Sequence, residues 1–365
     1  MADIYLDNNA TTACDLAVVD AMLPYFTEQF GNPSSIHRYA DGVAKGIAKA
    51  RRQIQALLGA QHDSEIIFTA CGTESDNTAI LSALKCYPNR KEIITTTVEH
   101  PAVLNLCKQL EKEDYTVHYL KVDGKGRLDM EEYRSLLTPN VAIVSVMWAN
   151  NETGTLFPVV EMAELANAAG VQFHTDAVQA VGKVAMDLKA TKIDMLSLSG
   201  HKLHAPKGIG VLYLKRGSRF RPLLRGGHQE RGRRAGTENA ASIVGLGVAC
   251  EQAMQHMTYE NTHVKALRDR LEAGILRRCP TLSSPATRTT ACPTPPTSLS
   301  STWKAKRSLC CSTSRASRHR PARPAPRDRW SRPTSCAPWT FPTRRRTARS
   351  VFRCRATTPR KKSTG

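Results

Sequence analysis

Ser64-Glu65-Ile66-Ile67-Phe68-Thr69-Ala70-Cys71-Gly72-Thr73-Glu74 decides the fold. A short apolar run ends in small residues, and Gly72-Thr73-Glu74 then opens a helix that continues towards Leu84. That strand, turn and helix is the repeating step of an α/β domain. Moving outward, Ile93–Thr97, Val141–Val146, Val171–His174 and Gly210–Leu214 read as further strands, with amphipathic helices such as Val160–Ala168 between them. The alternation predicts an α/β fold with a mainly parallel sheet and no internal repeat.

In such sheets the working side chains gather in loops beyond the strand carboxyl ends. Polar groups follow the predicted strands one after another: Gly72-Thr73, Glu99-His100, Asn150-Asn151-Glu152, Asp176 and His201-Lys202. A single histidine or asparagine in such a place is ordinarily a loop or capping residue. Five such groups in order predict one shared crevice.

The 365-residue chain carries a formal charge of +20, which suggests a nucleic-acid partner until its distribution is considered. Positions 279–365 hold 20 of the 52 basic residues and one of the 32 acids, so nearly all the excess lies there. The same stretch has 12 of the 20 prolines and 6 of the 11 cysteines. A basic, proline-rich tail usually means disorder. Trp303, Trp330, Trp339, Phe341 and Phe352, and the lack of any repeat, point instead to coding DNA read out of frame. Joining the third base of each codon to the first two of the next tests this. Ala291–Thr297 then permits Leu-Pro-Asn-Thr-Ala-Asn. Pro321–Pro342 permits Gly-Ser-Ala-Cys-Thr-Pro-Gly-Ser-Leu-Glu-Pro-Thr-His-Val-Leu-Arg-Ala-Met-Asp-Ile-Pro. Dozens of agreements in one shifted frame, running back to about Arg278-Cys279, identify the tail as a frameshift product.

Upstream of it the charge is nearly balanced, so nucleic acid is not an expected partner. The cysteines show no paired spacing, reduced thiols fit an α/β chain, and no metal site is expected. With no apolar run long enough for a bilayer and no signal peptide, the expected compartment is the cytoplasm.

Ser199-Gly200-His201-Lys202 sets a lysine after a strand-like run, where small neighbours admit a planar cofactor and the amine can form a Schiff base with an aldehyde. Most lysines are merely solvated; the partners change the balance. Asp176 can hold a pyridine nitrogen protonated, Gly72-Thr73 offers a helix N-terminus to a phosphate, and His100 can lie over a ring. Together with Leu6–Thr12, Gly31–Ser35, Gly72–Ser75, Val98–His100, Ala149–Gly154, His174–Gln179 and Arg234–Asn239, these stretches resemble, in order, the motifs of the cysteine desulfurase family. That family lies in the class-V aminotransferase superfamily. Trp148–Gly154 and Arg225–Arg231 are most similar to its nitrogen-fixation (NifS) type.

The resemblance implies a fold-type-I pyridoxal 5'-phosphate enzyme acting as a homodimer. It would convert L-cysteine to L-alanine and pass persulfide sulfur to an iron–sulfur scaffold protein, for nitrogenase. Lys202 would carry the cofactor and shuttle protons, Asp176 would pair with the ring nitrogen, and Gln179 would bond the ring hydroxyl. Gly72, Thr73, Ser199 and His201 would hold the phosphate, with Thr237 reaching in from the other subunit. His100 would stack on the ring and assist proton transfer, and Asn151 would contact substrate or cofactor. The implied organisation is an N-terminal segment (1–15), a large cofactor-binding domain (16–258), the start of a small domain (259–278), and the out-of-frame tail (279–365), expected to lack a regular packed domain.

Two family features are missing. The shifted frame places the nucleophilic cysteine across Pro324 and Ala325, and the arginine that grips the substrate carboxylate near Ser350-Val351. Cys336 and Cys354 belong to the wrong frame, and Cys71 reads as a small cysteine ahead of a helix. Selenocysteine lyase is a second reading with the same cofactor site; an inactive partner-binding paralogue is a third. A basic-tailed nucleic-acid binder ranks below them, because the charge sits almost wholly in the tail.

Overall fold

A computed structural model describes residues 4–278. The expectations for 279–365 lie outside the described residues. Seven strands form one sheet: β1 (Ile66–Thr69), β2 (Glu92–Thr96), β3 (Thr116–Leu120), β4 (Val141–Ser145), β5 (Gln172–Asp176), β6 (Met195–Ser199) and β7 (Gly210–Leu214). Their spatial order is β1-β7-β6-β5-β4-β2-β3. Four of the six pairings are parallel, and β7 runs antiparallel to both β1 and β6. The fold is therefore the expected α/β type, with one reversed strand. β1 and the five parallel strands all point their carboxyl ends the same way, so Thr69, Thr96, Ser145, Asp176 and Ser199 share one edge. At that edge Gly210 faces Ser199 and Thr69 in register. A Cβ there would stand 2.7 Å from the Cys71 main chain, so glycine is what lets the turn after β1 cross β7.

The helices are α1 (Leu16–Met22), α2 (Pro24–Thr27), α3 (Arg38–Leu58), α4 (Gly72–Cys86), α5 (Pro101–Glu111), α6 (Met130–Leu136), α7 (Val159–Ala168), α8 (Ala240–Tyr259) and α9 (Lys265–Arg278). Successive strand residues feed opposite layers, as the two-residue period requires. Phe68, Ile94, Val144, Phe173 and Leu196 pack into the core that holds α3, α7 and α8. Ile67, Ile93, Ile143 and Met195 pack with α4 and α5. Along α3, Val43, Ile47, Ala50, Ile54 and Leu57 make the buried stripe. Its partner α8 comes close because position 247 is glycine: a Cβ there would lie 2.6 Å from Ala50 Cα. One π-turn, Glu260–Val264, joins α8 to α9, so position 259 falls inside a continuous helical rod.

On the α4 face each strand turns from apolar to polar towards the shared edge: Ile93 then Thr95, Ile143 then Ser145, Met195 then Ser197 and Ser199. The core thus grades into the site without a break in the sheet.

Candidate active site

A cavity of about 460 Å³ opens at that edge. Gly72, Thr73, His100, Asn151, Asp176, Gln179, Ser199, His201 and Lys202 all line it, so nine of the ten residues singled out from sequence meet in one place. The tenth, Thr237, lines a separate cavity of about 190 Å³ beside Glu230 and Arg234. Its loop is pinned to α3, β1 and α4: Arg51 donates to both Glu230 oxygens at 2.7 and 2.8 Å, the Phe68 N–H donates to Glu230 at 3.1 Å, and Arg234 Nε reaches Glu74 at 2.9 Å.

β5 ends on Asp176, whose carboxylate accepts from the Val178 N–H at 2.9 Å. Burial pushes this carboxyl above its ordinary range, while that N–H, His100 and Lys202 pull it back. Lys202 follows β6 within a 3-10 turn, Gly200–Lys202. Its ammonium donates to the carbonyls of Asn9 and Ala10. Burial pushes its pKa down and Lys183 adds to this, against Asp176 and Asp7, which makes the free amine more accessible than at the surface.

His100 caps α5, its Nδ1 accepting the Ala102 N–H at 3.1 Å. With Nδ1 an acceptor, the neutral ring carries its proton on Nε2. α4 opens at Gly72 with no side-chain cap from Cys71, leaving its first-turn N–H groups to face the cavity. Beside them the Ser199 hydroxyl is buried and has no hydrogen-bond partner. His201 bonds Thr11 Oγ1 at 3.2 Å through Nδ1; burial first, then Lys202 and Lys207, lower its pKa. Gln179 donates to the Asn9 carbonyl at 3.0 Å and accepts from Lys183 at 3.2 Å. Asn151 donates to Glu152 at 3.1 Å.

Sequence reasoning missed two parts of this site. The carbonyls of Asn9 and Ala10 are main-chain groups and carry no residue-type signal. Asp76 also lines the cavity. Its signal was present: it lies four residues after Gly72 and so on the same face of α4. Glu99 lies buried behind His100, accepting from Thr96 Oγ1 at 2.8 Å and the Met147 N–H at 3.0 Å. Burial pushes its pKa up to about 8, against those two donors.

The residues present suit an anionic, planar, aldehyde-bearing ligand. A reachable amine, a buried carboxylate, uncapped helix N–H groups and an orphaned hydroxyl converge on one cavity. Among the described residues no group of three or more His, Cys, Asp or Glu is placed to hold a metal ion. No described helix is long and apolar enough to cross a membrane.

The chain is similar in sequence and fold to known proteins. The profile of the aminotransferase class-V family matches residues 4–293. Cysteine desulfurase NifS of Azotobacter vinelandii is 72% identical over 280 residues, covering 77% of this chain and 70% of that protein. A cysteine desulfurase of Gluconacetobacter diazotrophicus is 65% identical over 279 residues, covering 76% and 70%. Among solved structures, a NifS-like protein superposes with a TM-score of 0.77 at 37% identity, over 80% of each chain. SspA in complex with cysteine gives 0.66 at 39% identity, over 68% of this chain and 72% of that one. The chain belongs to the aminotransferase class-V family, and within it to the cysteine desulfurases.

Proposed function

We propose that the gene encodes a pyridoxal-phosphate-dependent cysteine desulfurase, and that the chain as written carries the cofactor half of that enzyme without its sulfur-abstracting half. The reaction takes L-cysteine and an enzyme thiol to L-alanine and an enzyme persulfide, so the sulfur leaves the substrate carbon and a proton replaces it. A homodimer in the cytoplasm, serving an iron–sulfur scaffold for nitrogenase, is the biological setting this reading carries. The large cofactor domain would span 16–258 after an N-terminal segment, with the small domain starting at 259.

The observation that carries the reading is the meeting of Lys202, Asp176, Ser199 and His100 in one cavity. Bound there, pyridoxal phosphate supplies an electron sink next to the substrate's reacting carbon. Lys202, lowered by burial, holds the cofactor and moves the proton at that carbon. Asp176 holds the proton on the ring nitrogen. Gly72 and Thr73 at the start of α4, with the Ser199 hydroxyl and His201, seat the phosphate. His100 presents Nε2 to the substrate side, Gln179 and Asn151 bind at the rim, and Thr237 would serve the partner subunit's phosphate seat.

The family's nucleophilic cysteine falls in the out-of-frame stretch, and four of the five described cysteines make poor substitutes. Burial pushes the Cys107 and Cys250 thiols up to about 12 and raises Cys14 and Cys86 as well. Such thiols are poor nucleophiles near neutral pH. Cys71 lines the cavity, at the start of α4. The similarity to the Azotobacter vinelandii enzyme, which accounts for 70% of that protein, is in keeping with a chain whose last part no longer codes for its C-terminal portion.

The test is alanine and sulfide production from L-cysteine with dithiothreitol, comparing the chain as written with a version whose frame is restored near Arg278. The restored chain should turn over, and the unrestored chain should bind pyridoxal phosphate with little or no sulfide. Lys202→Ala in either should abolish the visible absorbance of bound cofactor. Full activity from the unrestored chain would refute the proposal, and a Cys71→Ser version would then show whether that thiol had taken over.

A further inference from the structure

The loop that carries Thr237 lies along the open edge of the sheet, and one of its arginines reaches the helix that borders the cavity. β1 is the end strand, paired with β7 on one side only. On its free side, alternate residues meet charged side chains where a further strand would otherwise lie. Arg233 Nη2 donates to the Ser64 carbonyl at 2.6 Å, and Arg51 Nη1 to the Ile66 carbonyl at 2.5 Å. The Phe68 N–H donates to Glu230 at 3.1 Å, and the Ala70 N–H to Glu74 at 2.8 Å. Covering an open edge in this way blunts its tendency to pair with other chains. Glu230 and Arg231 take φ values of +49° and +58°, left-handed backbone that a residue with a Cβ keeps only where its contacts enforce it.

Arg234 ends the series on α4. Its Nε lies 2.9 Å from Glu74 Oε1 and its Nη2 3.2 Å from Oε2, a two-pronged pair whose side chains are 23% and 14% exposed. Glu74 is the acid in the first turn of α4, and its Oε2 also takes the Ala70 N–H, so its charge is held within that turn. Gly72 and Thr73 of the same turn line the cavity, with Ser199 beside them: a Cβ on Gly72 would stand 3.5 Å from Ser199 Cβ. The Ser199 hydroxyl is buried there without a partner. These groups suit an anion, yet a carboxylate one residue from Thr73 would compete with that anion for the positive end of the helix. The conflict is sharper for a phosphate ester, which carries roughly two negative charges near neutral pH.

We propose that Arg234 is a positioning residue for the phosphate seat that acts through Glu74: it cancels the Glu74 charge, leaving that carboxylate to hold the Ala70 N–H and with it the turn into α4. The inference rests on the cofactor reading above. An acid in the first turn of α4 is compatible with a phosphate at its N-terminus because the arginine is paired with it. Glu74 without Arg234 should therefore be worse for phosphate than neither residue.

The full chain can be titrated with pyridoxal phosphate, read by its visible absorbance, and with inorganic phosphate, read by thermal melts. Arg234→Ala leaves a bare carboxylate beside the seat and should weaken both ligands about tenfold, the order of a partly buried charge effect at a helix end. Pyridoxal, which lacks the phosphate, should bind the variant and the unmutated chain alike. Adding Glu74→Gln, whose amide oxygen still accepts the Ala70 N–H, should return both affinities to those of the unmutated chain. Glu74→Gln alone should bind inorganic phosphate at least as tightly as the unmutated chain, which keeps the idea testable even if Arg234→Ala folds poorly. A double variant as weak as Arg234→Ala, or pyridoxal binding lost in step with pyridoxal phosphate, would mean that the arginine acts through the position of its loop, and the proposal would fall. Normal phosphate binding by Arg234→Ala, or weaker binding by Glu74→Gln alone, would overturn it as well. The expected inorganic phosphate pattern without any pyridoxal phosphate binding would sustain the pair and count against the function proposed above. An unmutated chain indifferent to both ligands would overturn both.

Discussion

The floor of the cavity and its N-terminal rim are built from opposite materials. Asp76, Asp176 and Ser199 on the floor are 1%, 6% and 3% exposed, and each belongs to a strand end or the helix packed on it. On the rim Leu6 is 66% exposed, and the segment reaches the site through the main-chain carbonyls of Asn9 and Ala10, which receive Lys202 and Gln179. Side chains define the floor; on the rim, backbone carbonyls receive Lys202 and Gln179, and the Thr11 hydroxyl meets His201. Substitutions should therefore be costly below and mild above.

The largest effect should come from Asp176→Asn in the frame-restored enzyme. The amide keeps the shape of the carboxyl and loses its charge, so the cofactor should stay bound while turnover falls. Removing one preorganised electrostatic group of this kind costs about 10²–10³-fold in kcat. The check is kcat against cofactor occupancy measured on the same preparation. A rate within a few fold of the unmutated enzyme would mean that the floor does not work through the charge of Asp176.

Ser199→Ala should come next. The hydroxyl is buried without a partner, a condition that costs stability unless a ligand relieves it. Hydrogen bonds to charged groups contribute about 1.5–3 kcal/mol, so losing this one should raise the Kd for pyridoxal phosphate by roughly 10–150-fold. The ligand-free chain should melt at the same temperature as the unmutated one, or slightly higher. Thermal melts with and without pyridoxal phosphate separate the two effects. A destabilised ligand-free chain would show that Ser199 has a structural partner, and the floor would not then be waiting for an anion.

The same contrast explains what the sequence revealed. β1, β4 and β7 are mainly apolar or β-branched runs sealed on both faces and read directly as strands, as does β2 after Glu92; β5, Gln-Phe-His-Thr-Asp, reads as a strand only through Val171 and Phe173, because its other residues are polar. β3, Thr-Val-His-Tyr-Leu, is a partly exposed edge strand whose mixed composition hides it. β6 reads as a strand only near Lys202, because Ser197 and Ser199 interrupt its apolar pattern, and those serines are polar because they serve the site. The reversed direction of β7 leaves no trace in residue types. On the floor, Lys202, Asp176 and His100 are legible because their chemistry is carried by side chains. Asp76 escaped because it sits inside an amphipathic helix, where a polar residue usually faces water. The rim carbonyls were illegible in principle, since any residue supplies one.

Asn9→Ala is the sharpest probe of that last point because it should do so little. The Asn9 side chain donates to the Asn151 carbonyl at 3.4 Å, a long and weak bond. Its carbonyl, which alanine keeps, is the group that receives Lys202 and Gln179. Net hydrogen bonds at the weak end contribute about 0.5 kcal/mol, so pyridoxal phosphate affinity should change by no more than about threefold. Titration of the cofactor's visible absorbance reads this directly. A loss as large as that from Ser199→Ala would place a working Asn9 side chain on the rim, and the division between a side-chain floor and a mainly backbone rim would fail. A near-neutral result, set beside the Ser199 loss, would show that the rim holds the lysine by the path of its chain rather than by the identity of its residues.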